Sequence, residues 1–173
     1  LDISPRIRNG PYNELIATGG GDGQISLWAG DGRLITSLPA HESRVNAVRF
    51  FPRGQQLVSA GADRNIRLWT LSGQLIRTVR GHTDDVLDIA VSPDGTKLVS
   101  ASSDRTLKLW DKNGTLLRTF VGHRGPIAAT TFSPNGQIIA SAGEDLSIKL
   151  WNLKGELLKT LEGHEGAVLD IDF

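Results

Sequence analysis

The chain has 173 residues, 39% of them hydrophobic, and its acidic and basic side chains balance to no net charge. Such a chain offers no overall field for attracting nucleic acid or an anionic membrane. The absence of cysteine excludes disulfides and cysteine-based metal or redox sites, and it agrees with a cytoplasmic location, which we expect. No apolar run is long enough for a membrane helix. Because methionine is also absent, we expect an excerpt from a longer chain.

A repeat with a period of 41 residues organises the sequence. Every tryptophan and every histidine falls on this period, together with one set of aspartates. The repeated residues are Trp28, Trp69, Trp110 and Trp151, then His41, His82, His123 and His164, and finally Asp22, Asp63, Asp104 and Asp145. A fixed period of this length is a signature of propellers and other repeat architectures.

Within the repeats, alternating apolar and polar residues predict short strands separated by turns. The first repeat has a turn residue at Asn13, a strand over 25–28 and a hairpin turn at Gly32. The second predicts strands over 45–50, 57–60, 66–69 and 75–79, with turns at Gly54 and Gly73. The third predicts strands over 86–91, 98–101, 107–110 and 116–120, with turns at Gly95 and Gly114. The fourth predicts strands over 127–132 and 148–151, with turns at Gly136 and Gly155.

Four short antiparallel strands in about 40 residues are typical of one blade of a β-propeller. The sequence therefore predicts an all-β fold with four blades of four strands each. The expected blades cover about 1–39, 40–80, 81–121 and 122–162. Residues 168–173 repeat the first strand of a unit once more, so 163–173 is predicted to be the first strand of a further blade.

The segment GHTDDVLDIAVSPDGTKLVSASSDRTLKLWD, from Gly81 to Asp111, carries the motifs of a known family. Its Gly-His, Ser-Pro-Asp-Gly and Trp-Asp elements resemble the WD-repeat family, and the resemblance covers essentially the whole chain. The regularity of the repeats is similar to that of long bacterial WD-repeat arrays, which often follow a signalling domain. The resemblance implies part of a seven- or eight-bladed propeller that acts as a non-enzymatic scaffold for protein–protein interaction.

The resemblance also implies a hydrogen-bonded tetrad of histidine, serine, aspartate and tryptophan in three repeats. The tetrads are His41, Ser59, Asp63 and Trp69; His82, Ser100, Asp104 and Trp110; and His123, Ser141, Asp145 and Trp151. An incomplete set consists of Thr18, Asp22 and Trp28 at one end of the chain and His164 at the other. Serine, histidine and aspartate together also suggest a catalytic triad. Because the set occurs three times with no specialised copy, we interpret it as structural.

Two further patterns suggest ligand sites only superficially. The four histidines fall in separate blades, too far apart to share one zinc ion, so no metal site is predicted. The glycine-rich run 19–23 lacks the helix and the lysine of a phosphate-binding loop, so we interpret it as a turn between strands. No cofactor is therefore expected.

We expect a protein or peptide partner to bind the rim formed by the loops after the histidines and the turns around the aspartates. The candidate contact residues are Ser43, Arg44, Arg64, Asp84, Asp85, Arg105, Arg124 and Gly125. Alternatives are a ligand-binding channel, a sensor domain of a larger signalling protein, and nucleic-acid binding, since residues 42–80 hold seven arginines and two acids. The complementary chain ends also suggest that two arcs pair into an eight-bladed ring, unless further blades of a longer chain complete it.

Overall fold

Sixteen β-strands form the part of the chain that the computed structural model describes, which is residues 1–4 and 14–173. The turn predicted at Asn13 lies outside these residues. The first eight strands are β1 (Asp2–Ile3), β2 (Leu15–Gly19), β3 (Gln24–Ala29), β4 (Leu34–Pro39), β5 (Val45–Phe50), β6 (Gln56–Gly61), β7 (Ile66–Thr70) and β8 (Leu75–Val79). The others are β9 (Val86–Val91), β10 (Lys97–Ser102), β11 (Thr106–Asp111), β12 (Leu116–Val121), β13 (Ile127–Phe132), β14 (Ile138–Gly143), β15 (Ile148–Asn152) and β16 (Leu157–Leu161).

The strands form four separate sheets of four, each a simple antiparallel meander in chain order. These sheets, β1–β4, β5–β8, β9–β12 and β13–β16, are named blades 1 to 4 below. The all-β prediction of four blades with four antiparallel strands each is confirmed. The described part of the chain contains no helix with the length and hydrophobicity needed to span a bilayer.

Each blade is shaped by the same local devices. The turn glycines Gly54, Gly95 and Gly136 have φ angles of 64°, 69° and 68°. Residues other than glycine rarely adopt positive φ angles of this size. A register shift immediately precedes the repeated tryptophan where the third strand pairs with the fourth, for example between Leu109 and Trp110. Such bulges increase the twist of a sheet.

The hydrophobic core lies between the blades rather than inside any one of them. Val86 and Ile89 of blade 3, for example, are fully buried against Val58 and Leu68 of blade 2. Corresponding clusters join blade 1 to blade 2 and blade 3 to blade 4. Since a single sheet leaves its apolar face uncovered, each blade depends on its neighbour for burial.

Residues 163–173 form no strand in the structure, because none of the described residues supplies a partner strand for their backbone groups. The segment still contacts blade 4. Val168 is buried among Ala129 and Ala142, and its N–H donates to the Gly143 carbonyl at 3.2 Å. Val45 makes the equivalent bond to Gly20 at 3.0 Å. The assignment of this segment to a further blade, like the blade limits, stays a prediction.

Candidate functional site

Blade 3 contains a continuous hydrogen-bonded chain of four side chains. The Trp110 indole N–H donates to Ser100 Oγ at 2.9 Å, and Ser100 Oγ lies 2.7 Å from His82 Nε2. On the other side of the ring, His82 Nδ1 lies 2.7 Å from Asp104 Oδ2. These distances fix the tautomer: Nδ1–H donates to the carboxylate, and Nε2 accepts the serine hydroxyl.

Blades 2 and 4 repeat this chain with nearly the same geometry. In blade 2, His41 lies 2.7 Å from Ser59 Oγ and 2.8 Å from Asp63 Oδ1. In blade 4, the distances from His123 to Ser141 Oγ and Asp145 Oδ1 are 2.8 and 3.0 Å. Trp69 and Trp151 each donate to the serine of their own blade. The structure therefore brings all twelve predicted tetrad residues together in three sets.

The incomplete set in blade 1 is only partly assembled. The Trp28 indole N–H donates to Thr18 Oγ1 at 3.0 Å. Asp22 is exposed and accepts the Gln24 N–H at 3.1 Å. His164, at the other end of the chain, is exposed and has no hydrogen bond to any of the three. Within the described residues, blade 1 therefore has a tryptophan–threonine pair without a histidine.

Burial and hydrogen bonding set the charge states of the tetrads. Burial lowers the pKa of His82, although the hydrogen bond to Asp104 acts in the opposite direction. Burial alone would raise the pKa of Asp104, but hydrogen bonds from Thr106 and His82 outweigh it and lower the pKa to about 2. The pKa values of the other tetrad histidines and aspartates are also lowered. Each tetrad thus pairs a neutral imidazole with a charged carboxylate at neutral pH.

The tetrad serines are not placed to act as nucleophiles. Ser59, Ser100 and Ser141 are each 0% exposed, so no substrate atom could approach their hydroxyl oxygens. Each oxygen also accepts an indole N–H, which occupies one of its lone pairs. The arrangement instead gives every buried polar atom a partner, which is what a protein interior requires.

Blade 2 adds a residue that the sequence interpretation missed. The Arg67 guanidinium contacts Asp63 Oδ2 and His41 Nδ1, whereas Lys108 at the same position of blade 3 donates outward to Thr119. Blade 2 also differs two residues earlier, where Asn65 replaces the hydroxyl residue that donates to the tetrad aspartate in blades 3 and 4. The sequence signal that could have revealed this contact is the arginine at position 67, where blades 3 and 4 have lysine.

The eight candidate contact residues lie at solvent-facing positions of blades 2 to 4. Asp85 and Gly125 are half-buried, and the other six are exposed. The tetrad aspartates hydrogen-bond to the loops that carry the candidate contact residues. Asp104 Oδ2 accepts the Thr83 N–H at 3.1 Å, and Asp145 Oδ2 accepts the Arg124 N–H at 2.8 Å. Backbone bonds also join the two loops of a blade, as from the Ser103 N–H to the Asp85 carbonyl at 2.9 Å.

Neighbouring blades are connected through their first strands, β5, β9 and β13. Arg49 Nη2 donates to Asp88 Oδ1 at 3.1 Å, and Asp88 Oδ2 accepts the Thr130 N–H at 3.0 Å. The side-chain Nδ2 of Asn46 donates to the Val86 carbonyl at 2.8 Å. Burial raises the pKa of Asp88, while the charge of Arg49 opposes this. The two bonds between β5 and β9 join residues in the same chain order, so these strands run in one direction, and β13 continues the arrangement in the repeat. The candidate loops of blades 2 to 4 therefore share one face, called the histidine rim below.

These contacts were not expected from the sequence. Arg49 and Asp88 depart from the repeat, since the position of Asp88 holds Ala47 in blade 2 and Ala129 in blade 4. Among the described residues, no group of three or more acidic, histidine or cysteine side chains could hold a metal ion.

Comparison with known proteins supplies the family. A model of the WD domain, or G-beta repeat, matches residues 32–70, 73–111 and 114–152, which is more than half of the chain. Each matched segment holds the last strand of one blade and the first three strands of the next. No curated protein matches the chain in a sequence comparison. With three matched repeats, four meander blades and three assembled tetrads, the chain belongs to the WD-repeat family.

Proposed function

We propose that this chain is a non-enzymatic scaffold that binds a protein or peptide partner on its histidine rim. WD repeats generally mediate protein–protein interaction. The observation that carries the proposal is the attachment of the rim loops to the tetrads, because loops held by buried hydrogen bonds present their exposed side chains in a fixed arrangement. A rigid surface also binds without the cost of ordering its own loops.

The rim offers side chains of mixed chemistry at repeated positions. Arg44 and Arg64 make the blade 2 part basic, and Asp84 makes the blade 3 loop acidic, while Arg105 and Arg124 add further cations. Because the frames are alike and the exposed residues differ, partner choice would come from these side chains.

Affinity capture with a matched pair of variants tests the proposal. One variant carries alanine at the exposed rim residues Arg44, Arg64, Asp84, Arg105 and Arg124. The other carries alanine at Arg53, Asp94 and Lys112, which are exposed in turns at the opposite end of the strands. Proteins retained by the native chain and the second variant, but lost with the first, support the histidine rim. Loss with the second variant alone would show that the partner binds the opposite face.

Nucleic-acid binding is less well supported, because the arginines of residues 42–80 do not form one surface. Arg44 and Arg64 lie on the histidine rim, Arg53 lies at the opposite end, and Arg77 lies on the outer strand β8. Arg49 and Arg67 are paired with aspartates. Retention on a heparin column at about 0.15 M salt would favour this alternative.

We also propose that isolated copies of this 173-residue chain pair through their end blades. Trp28 is half-buried in blade 1, whereas Trp69, Trp110 and Trp151 are 4%, 2% and 2% exposed against a preceding blade. At the other end Leu161 is 38% exposed, although Phe120 at its equivalent position is 2% exposed. Pairing would cover both surfaces and bring His164 to Thr18 and Trp28. Light scattering tests this, and a folded monomer at micromolar concentration would contradict it.

A further inference from the structure

Four equivalent turns of the histidine rim place their fourth residue in the left-handed backbone region. Each turn closes with a backbone hydrogen bond from that residue to the carbonyl three residues before it. The φ angles are 79° at Gly23, 66° at Arg64, 67° at Arg105 and 66° at Leu146. Glycine takes this conformation freely, whereas a side chain there is disfavoured. Blade 1 therefore has the favoured residue, and blades 2 to 4 do not.

The tetrad aspartates maintain this unfavourable backbone from both sides. Asp104 immediately precedes Arg105, and its Oδ1 accepts the N–H of Thr106, the residue that follows, at 2.9 Å. Asp63 and Asp145 hold Arg64 and Leu146 in the same way, with distances of 3.2 Å. A strained residue persists only where its surroundings fix it, and such residues concentrate at functional sites.

The turn of blade 1 has glycine at this position for a steric reason. A Cβ atom on Gly23 would lie 2.3 Å from the His41 carbonyl oxygen, so no side chain fits there. Blades 2 to 4 have room for a side chain, and glycine would satisfy their turns at lower energy.

The two arginine side chains make no polar contact with the described residues that would offset this strain. Arg64 and Arg105 are exposed, and neither guanidinium has a hydrogen bond or ion pair with any residue that the structure describes. Leu146 is 40% exposed. Two unpaired cations and an apolar side chain thus stand in one row across three adjacent blades, named the strained row below.

We propose that the strained row is the main contact of the partner, and that it fits an acidic peptide segment ending in an apolar residue. Carboxylates would pair with Arg64 and Arg105, and the apolar residue would cover Leu146. This inference rests on the proposed function, because it names the partner chemistry of the same rim. Glu144 lies two residues before Leu146 and is exposed, which disfavours a nucleic-acid phosphate backbone at that end of the row.

The acids of the neighbouring loop do not neutralise the row. Asp84 Oδ1 accepts the Asp85 N–H at 2.9 Å, and the Asp84 carbonyl accepts the Ser102 hydroxyl at 3.3 Å. Asp85 is half-buried, and its carbonyl accepts the Ser103 N–H at 2.9 Å. These contacts hold the loop beside Arg105 without an ion pair to it. Among the described residues no acid pairs with the guanidiniums of Arg64 and Arg105, so a partner's carboxylates can pair with them.

A glycine variant at the three positions separates this role from a structural one. The triple variant R64G, R105G, L146G gives each turn the residue that blade 1 already has. Because strain is removed, its melting temperature should rise by roughly 2 °C or more per position. Because the contacts are removed, its affinity for a fitting peptide should fall by about tenfold or more.

The probes are fluorescein-labelled peptides with two glutamates followed by a leucine, separated by glycine–serine spacers of several lengths. Matched peptides carry lysine instead of glutamate, and a 12-nucleotide oligo-dT tests phosphate. The control variant R53A, K112A removes two exposed cations from the opposite face and should bind as the native chain does. A variant with R64K and R105K should keep most of the affinity, since it keeps both charges.

The proposal is supported if a glutamate peptide binds the native chain and the glycine variant loses that binding while gaining thermal stability. It is overturned if no glutamate peptide binds, if lysine peptides or oligo-dT bind better, if the glycine variant binds unchanged, or if its melting temperature falls. Failure here leaves the histidine rim intact as a partner surface if the five-residue alanine variant still loses captured proteins. Retention of those proteins would instead contradict the proposed function itself.

Discussion

Replacing Asp104 by alanine tests whether the tetrads hold the fold together. The Asp104 carboxylate is 7% exposed and accepts hydrogen bonds from the His82 ring, the Thr83 N–H, and both the N–H and the hydroxyl of Thr106. The substitution leaves the His82 ring, which is 1% exposed, without a partner for its Nδ1–H. An unsatisfied buried donor costs about 1–3 kcal/mol. Thr83 and Thr106 lie near the surface, where water can replace the lost bonds.

The pKa of Asp104 gives a second measure of the same interaction. A fall from 3.8 to about 2 stabilises the charged carboxylate by at most about 2 kcal/mol at neutral pH. Both measures lead to an expected loss of about 1–3 kcal/mol in the free energy of unfolding for Asp104→Ala. His82→Ala should cost a similar amount, because it removes one hydrogen bond each from the Asp104 carboxylate and the buried Ser100 hydroxyl.

Urea unfolding at neutral pH, followed by tryptophan fluorescence, measures the change. Blade 1 supplies the matched control: Asp22 occupies the same position, but it is exposed and has no histidine partner among the described residues. Asp22→Ala should cost no more than about 0.5 kcal/mol. Equal effects of the two substitutions, or no effect of Asp104→Ala, would refute the structural interpretation of the tetrads and reopen the catalytic one.

Two further outcomes follow from the electrostatics. Because burial lowers the pKa of His82 and its equivalents below 6.5, the unfolded chain binds more protons, and stability should fall as pH drops from about 7 to 5. An unchanged urea midpoint over that range would contradict this. Arg49→Ala and Asp88→Ala should show a coupling energy of about 0.5–1.5 kcal/mol in a double-mutant cycle. Additive effects would mean that their bond does not join blades 2 and 3.

The fold could be predicted because the same strand, bulge and turn residues recur in each repeat. One Trp110 or one Gly95 would indicate little, but the same residues at a fixed spacing mark the strand, the bulge and the turn of every blade. The tetrads followed from the resemblance for the same reason. Residues 163–173 carry the pattern of a first strand but form none in the structure, because a strand exists only where a neighbour pairs with it, so their assignment to a further blade stays a prediction.

Contacts between blades could not be predicted, because they join residues that depart from the repeat. Arg49 and Asp88 are 39 residues apart; the positions equivalent to Arg49 in blades 3 and 4 hold Ala90 and Thr131, and those equivalent to Asp88 in blades 2 and 4 hold alanine, although Asp170 repeats it near the end of the chain. Arg67 contacts His41 and Asp63 in blade 2, where Asn65 donates its side-chain amide to the Asp63 carbonyl rather than to the carboxylate. Sequence spacing locates a residue on its strand, but the angle between sheets decides which residues of two blades meet.

The tetrad aspartate joins the stability of a blade to what that blade displays. In blade 3, Asp104 accepts the buried His82 ring and also fixes the strained turn at Arg105. A polar group buried among packed sheets therefore determines the direction of an exposed side chain. The strain at Arg105 opposes folding and the hydrogen bonds of Asp104 favour it, so one carboxylate both stabilises the blade and holds the turn that presents Arg105.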